Sequence, residues 1–425
     1  MGAMLSSEVE QIQPNEQSQP GRGFAVAAGI LGWSLDSFDF FVVVFMVDAL
    51  AAHFLVDKKD IILTIGATLA MPPIGALIFG ALADRFGRRK PLMAVVAFFS
   101  VVEVLSGMAS SYHTFLLLRL LYGVGMGGFW GVGASLTLES GAKRWRGLLS
   151  GLLQGGYPLG YLLAAIAARL ILPVWGWKAM FWAGLGPAAI TMYVAYRAPE
   201  SEAWKQHRVR TLGGIFRIVW ENRRIFLYLV IMLTLMIFLS HGTQDLYPDF
   251  LKTAHRISPN TVAYIAIFYN IGAVLGTILV GHTSEIIGRR ISIIASLALS
   301  ITVIPLWAFS QSLFALAAGA FLMQLGVQGA WGVIPAHLNE LSPDSIRGLF
   351  PGLVYQLGVL FGSPTSTIEY ALRDRIGYQW ALTTFEGLTI IALMAVFALG
   401  PEKKGKIFGS KPANISVSEA TAVVP

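Results

Sequence analysis

The segment Gly80-Ala81-Leu82-Ala83-Asp84-Arg85-Phe86-Gly87-Arg88-Arg89 has a second version further along the chain, Gly281-His282-Thr283-Ser284-Glu285-Ile286-Ile287-Gly288-Arg289-Arg290, at an offset of 201 residues. The same offset carries Trp130-Gly131-Val132 onto Trp331-Gly332-Val333, Glu139 onto Glu340, and Arg146-Gly147-Leu148 onto Arg347-Gly348-Leu349. So many matches at one unbroken offset mean an internal duplication. In a membrane chain, parallel half-repeats of this kind point to a solute path between the halves, with access alternating as the halves rock.

The composition supports a membrane chain. Of 425 residues, 55% are hydrophobic and 13% charged, with a mean hydropathy of +0.64. A soluble globule carries about 25% charged residues. Runs long enough to span a bilayer, which needs roughly 20 residues each, fall at 24–47, 61–82, 91–110, 114–138, 148–171 and 178–196. Six more fall at 225–247, 261–281, 291–310, 313–338, 347–370 and 380–399. The expected fold class is an all-α membrane protein with 12 spans in two six-helix bundles, 24–197 and 225–400. A polar, basic stretch, 198–224, joins them on the cytoplasmic side, and 1–23 and 401–425 read as disordered cytoplasmic tails.

The charges set the orientation. With both termini cytoplasmic, 22 of the 31 Lys and Arg lie in inside segments and 7 outside, the positive-inside pattern. The net charge of +7 is thus a topology signal and no nucleic-acid footprint. Short tails suit a bacterial inner membrane, and a monomer is expected. The chain has no cysteine, which excludes disulfides, thiolate metal sites and cysteine nucleophiles. There is no metal-ligand cluster, no nucleophile with a base and no soluble domain, so an enzyme is excluded and no cofactor or metal is expected. The Gly-rich run 123–133 has no preceding strand and lies inside a span, which excludes a dinucleotide loop.

Chemistry is concentrated in a few spans. The seventh ends in Ser240-His241-Gly242-Thr243-Gln244-Asp245, with His241 and Asp245 four apart and therefore on one helix face. Titratable groups at that depth are costly in lipid and face a cavity or a partner helix, and histidine is the side chain poised to switch near neutrality. In the first span Asp36 and Asp39 lie roughly 18 and 22 Å from the cytoplasmic boundary at ~1.5 Å per residue. Arg119 of the fourth span reaches roughly 22 Å and His241 roughly 24 Å on the same scale. An unpaired Arg at that level is expensive, so an Asp39–Arg119 ion pair is expected, released when the Asp takes up a proton. Gln154, Tyr157, Asn270, Tyr355 and Gln356 are further polar groups within spans, suited equally to a ligand or to helix contacts. Asp84, Arg88, Arg89, Glu139 and Arg146, with Glu285, Arg289, Arg290, Glu340 and Arg347, are expected to lock helices on the cytoplasmic face without touching substrate.

The Gly-x-x-x-Asp-Arg-x-Gly-Arg-Arg loop and its acidic counterpart resemble those of the major facilitator superfamily across 24–400. Ser240 to Pro248 resembles the seventh-span signature of the Jen-type lactate and pyruvate proton symporters, of the sialate–proton symporter branch. Trp331 to Pro343, Tyr355-Gln356-Leu357-Gly358 and Ser366-Thr367-Ile368-Glu369 resemble that group as well. The resemblance implies a proton-coupled carrier of short monocarboxylates, with His241, Gln244, Asp245 and Gln356 in or near the pathway. The chain departs from that pattern at Ile237, Asp249 and Val359, and has Met71-Pro72-Pro73 where relatives often carry an Arg. That leaves Arg119 and His241 as the deep groups to receive a carboxylate. The expected partners are a small carboxylate, lactate first, with protons and the lipid bilayer. A larger acid, such as a sialate or an aromatic acid, and a non-transporting sensor are the alternatives.

Overall fold

The computed structural model describes residues 20–207 and 211–408, and among them every regular element is helical. In order, the first five spans are Arg22–Phe45, Lys58–Ala70 continued by Pro72–Phe86, Arg89–Gly107, Tyr112–Ser140 and Arg146–Leu170. The sixth is built from Leu172–Ala183 and Leu185–Arg197, and the seventh is Arg223–Gln244. Then come Pro259–Ile287, Arg289–Phe309, Leu313–Leu341, the eleventh span as Phe350–Gly362 and Thr365–Ile376, and finally Tyr378–Leu399.

Local chemistry explains the ends and the breaks. Ser111, Ser258 and Ser312 start the fourth, eighth and tenth spans, each accepting the backbone N–H three residues on, as N-caps do. Pro72 opens the second piece of the second span, where its missing N–H costs nothing. The left-handed Gly176 and the junction at Gly184 break the sixth span, and Ser363-Pro364 breaks the eleventh. Consequently nine helices among the described residues are long and apolar enough to cross a membrane by themselves. The fifth span falls short in apolarity because Gly147, Gly151, Gly155, Gly156 and Gly160 hold positions where larger side chains would stand.

Those glycines serve close approach. The fifth span packs on the eighth and tenth, and the second and fourth on the eleventh, so the two halves meet along these helices. A Cβ at Gly131 would sit 2.7 Å from the Gly352 Cα, and one at Gly281 3.0 Å from the Gly151 Cα. Small residues let backbones approach in this way.

On the face carrying the described chain ends, charge closes the seam. The Asp84 carboxylate accepts the Gly348 and Leu349 N–H groups at 2.8 and 3.0 Å, at the start of the eleventh span. Glu285 accepts the Gly147 N–H at 2.5 Å, at the start of the fifth. Each acid thus satisfies the orphan donors and positive end of a helix in the opposite half. Arg88 and Arg347 both bind Glu139, at 3.3 and 3.2 Å, while Arg289 and Arg146 bind Glu340 at 2.9 and 3.5 Å. Arg347 and Arg146 are the members that reach across.

Arg89 and Arg290 do not take part in this cross-half lock. The Arg89 guanidinium lies over Tyr196 of its own half, and Arg290 donates to the carbonyls of Phe397 and Ala398. Their neighbours Arg88 and Arg289 point inward, so one helical step turns these two outward.

The ends of the chain also correct an expectation. Pro401–Phe408 is packed against the lock. The Arg146 and Arg347 guanidiniums cover the Phe408 ring at 3.7 and 3.8 Å, and Arg146 donates to the Lys406 carbonyl. Lys406 also pairs with Asp344 at 3.1 Å. Burial raises the Asp344 carboxyl, but Arg347 and Lys406 outweigh it and hold that group below the usual aspartate range. The rest of that tail, 409–425, and residues 1–19 lie outside the described residues. The linker contains two short helices, Glu202–Gln206 and Leu212–Glu221.

Asp84→Asn should weaken the lock, because a neutral amide oxygen replaces a carboxylate that holds two backbone donors. In this cysteine-free chain, spin labels at Phe86→Cys and Lys403→Cys should report longer, broader distances once Asp84→Asn is added. An unchanged distribution would show that the lock does not depend on this charge.

Candidate functional site

The C-terminal half contributes the polar block. His241 Nδ1 lies 3.1 Å from one Asp245 oxygen and 3.3 Å from the other, so the pair expected from the four-residue spacing forms. Ser366 of the eleventh span donates to Asp245 at 2.7 Å. Side-chain accessibility stays at 42% for His241 and 38% for Asp245. Asp245 acts electrostatically on Tyr157 of the fifth span and Tyr269 of the eighth. The accessibility of the pair, at the end of the seventh span away from the lock, marks an open cleft there.

Gln244 is turned aside. Its amide donates to Gln324 of the tenth span at 2.7 Å, and Gln324 in turn reaches Thr243 at 3.1 Å. Gln328 donates to Ser240 at 3.2 Å. These bonds fix the roll of the seventh span and so aim His241 into the cleft. Asn270 donates to the Ala266 carbonyl of its own helix.

The N-terminal half contributes a sealed charge cluster, and here the expected ion pair is replaced by another. Arg119 binds Glu103 of the third span at 2.9 Å and Ser106 at 2.7 Å, and lies over the Tyr122 ring at 4.6 Å. Asp39 is buried against Gly184 of the sixth span. The reason is reach. Glu103 and Ser106 share one face of the adjacent third span and offer a carboxylate and a hydroxyl together. Asp36 is approached by Tyr122, whose hydroxyl donates to the Asp36 carbonyl at 2.7 Å and lies 3.4 Å from its carboxyl. With these contacts made and only 1% of Arg119 accessible, Arg119 does not line the cleft. The expectation that it receives a carboxylate is withdrawn.

Between cluster and cleft lies an aromatic floor. Tyr355 stacks on Trp130 with ring centres 4.2 Å apart, and Trp331 and Trp33 approach it at 5.9 and 6.4 Å. Tyr157 stacks on Trp33 at 5.8 Å and meets Phe41 edge-on at 5.3 Å. The indole N–H groups of Trp33, Trp130 and Trp331 and the amide oxygen of buried Gln154 have no partner within the described protein. Gln356 is buried beside them on the eleventh span.

This architecture of duplicated halves, crossed acid-to-helix locks and a midline polar cleft has a match. A family model described as Major Facilitator Superfamily fits residues 29–245 and 245–423. The chain belongs to the major facilitator superfamily. It is 29% identical to a carboxylic acid transporter protein homolog of Saccharomyces cerevisiae over 82% of this chain, spanning 61% of that longer relative. It is 26% identical to the sialic acid transporter NanX of Escherichia coli over 92% of this chain and 97% of the relative. Among solved structures it superposes on the human organic anion transporter MFSD10 (TETRAN) with a TM-score of 0.72 and 16% identity, covering 89% of this chain and 100% of that one. That likeness concerns the fold.

Several groups escaped the sequence reading as site members: Glu103, Tyr122, Trp33, Ser366, and the acids Glu200 and Glu402. The last two accept the Arg88 and Arg289 N–H groups at 2.7 and 2.6 Å. A signal for them was present, because Ala198-Pro199-Glu200 after the sixth span and Gly400-Pro401-Glu402 after the twelfth repeat one another.

Glu103→Gln removes the carboxylate from a buried ion pair, a change that costs about 3–5 kcal/mol when one partner is left uncompensated. Asp39→Asn removes no such partner. In purified protein, Glu103→Gln should lower the thermal unfolding midpoint clearly more than Asp39→Asn. The reverse order would restore the Asp39–Arg119 pair.

Proposed function

We propose that the protein is a proton-coupled secondary transporter of a small organic acid, with lactate or pyruvate as first choice, working by alternating access. The observation that carries this reading is the accessible His241–Asp245 pair in a cleft between halves that are locked on one face. A protonated imidazole is a cation able to receive a carboxylate, and Asp245 competes for it or shares its proton. A carboxylate and a proton entering together are electrically neutral, so the cycle need not move net charge across the membrane. The yeast and Escherichia coli relatives are by name transporters of acids, which supports an acid as cargo.

In this reading the locked face is cytoplasmic and the cleft opens outward, a sidedness supported by the excess of Lys and Arg on the locked side. The host membrane is a plasma membrane, the bacterial inner membrane first. Asp84, Arg88, Glu139, Arg146, Glu285, Arg289, Glu340 and Arg347 form the cytoplasmic gate. His241 holds the carboxylate, with Tyr157, Gln154, Tyr355 and Gln356 beneath it. Asp36 and Asp39 store the coupled proton. Three acids and one guanidinium, Asp36, Asp39, Glu103 and Arg119, are neutral together only with two protons bound. That charge count supports a proton store there. A larger acid is the second reading, favoured by the full-length match to a sialic acid transporter.

Purified protein in liposomes with an acidic exterior should accumulate labelled lactate, and collapse of the proton gradient with an uncoupler should abolish accumulation. Uptake of sialate or benzoate without lactate would overturn the choice of cargo alone. Asp39→Asn should lose accumulation at least tenfold while lactate–lactate exchange continues. Gradient-driven uptake at the wild-type level would remove Asp39 from the coupling.

A further inference from the structure

A second pair of acids lies on the far side of the polar block, in the C-terminal half. Glu369 on the eleventh span and Glu386 on the twelfth are both wholly buried, and none of their four carboxyl oxygens has a hydrogen-bond partner. Unpaired buried charge of this kind is among the costliest features a membrane protein can hold. In spans it marks ion or proton pathways. The two acids act on each other electrostatically, and Glu369 also acts on Asp245.

Space for the pair is built into the neighbouring helix. The seventh span has a single glycine, Gly242, directly after His241. A Cβ there would overlap the Glu386 carboxyl. The glycine lets that carboxyl press against backbone immediately behind His241. Glu369 stands one turn beyond Ser366, which donates to Asp245 at 2.7 Å. Hydrogen bonds run from His241 to Asp245 to Ser366, and Glu369, one turn on, and Glu386, behind Gly242, stand next to that chain without a hydrogen bond to it.

We propose that Glu369 and Glu386 form a proton-binding site that exchanges protons with the His241–Asp245 pair and so carries the coupling through the C-terminal half. The proposal rests on the proton-coupled reading and adds its place in this half. The seventh, ninth and eleventh spans pack most closely against the twelfth, while His337 of the tenth meets Phe397 near its locked end and Asp249 accepts from Tyr378 at its other end. From the seventh, His241 and Asp245 are the titratable groups at this level. From the eleventh the group is Glu369, with Arg373 and Asp374 further toward the open face. The ninth brings charge only at the locked end, through Arg289 and Arg290. No fixed cation among the described residues therefore neutralises the pair, and a proton is the counter-charge its setting can take. Transfer needs no redox partner: the proton leaves a carboxyl O–H and joins the Asp245 carboxylate or the imidazole.

Two measurements on the full-length chain test this. Infrared difference spectra of the purified protein across acid to neutral pH should show the carbonyl band of a buried protonated carboxyl, reduced in Glu386→Gln and lost in Glu369→Gln/Glu386→Gln. In liposomes, Glu386→Gln should lose acid-driven lactate accumulation at least tenfold and keep lactate–lactate exchange. Gly242→Ala, which crowds the carboxyl without removing it, should weaken accumulation in the same direction. If the wild-type chain accumulates lactate with the proton gradient and Glu386→Gln does so equally, the pair is overturned while the transporter reading stands. If wild type shows no proton dependence at all, the transporter reading itself fails, and the infrared band still decides whether the pair holds a proton. Uptake driven by a sodium gradient alone, abolished in Glu386→Gln, would make the pair a sodium site and overturn the assignment.

Discussion

A carboxylate set against the first N–H groups of a helix in the opposite half holds this molecule closed on one face. Asp84 does this for the eleventh span and Glu285 for the fifth. The arginines four residues on, Arg88 and Arg289, pair with these acids and keep both charges compensated where water is scarce. Everything beyond depends on that closure. On the side away from the sealed face, His241 and Asp245 remain accessible, with Ser366 of the eleventh span bonded to Asp245. The two locks are equivalent by the duplication, so the chain reaches a symmetric closure from one ancestral solution.

The two halves handle buried charge differently. In the N-terminal half, Arg119 compensates part of an acidic cluster and is sealed by Glu103, Ser106 and the surrounding rings. In the C-terminal half, the acids Glu369 and Glu386 stand without a cation and back onto a histidine that is itself open to the cleft. Between them, Tyr157 and the ring cluster around Tyr355 separate the two regions by aromatic bulk instead of fixed charge.

Much of this architecture was legible in the sequence, because duplication and hydrophobic length are one-dimensional signals. The offset linking Asp84 to Glu285 and Arg146 to Arg347 gave the lock and its partners, and the four-residue spacing gave His241–Asp245. The partner of Arg119 was not legible. Depth along a helix says how far a group lies from the interface and nothing about azimuth, so the matching depth of Asp39 pointed to it while Glu103 is the acid turned toward Arg119. The same blindness to rotation put Arg89 and Arg290 in the lock alongside their inward-facing neighbours. Phe408 was missed for another reason. The tail around it is polar, and only the two guanidiniums waiting at the lock make a single aromatic residue worth ordering.

The seam offers one last consequence. Where Gly131 meets Gly352, and Gly151 meets Gly281 and Thr277, backbone faces backbone with no side chains interleaved. Such a junction works as a smooth bearing. Parting it pulls no knob from a socket and leaves no void of the kind that makes core separations expensive. At these glycine contacts resistance to motion falls away, which leaves it to the polar contacts at the rim and to the Trp130–Tyr355 stack that joins the halves.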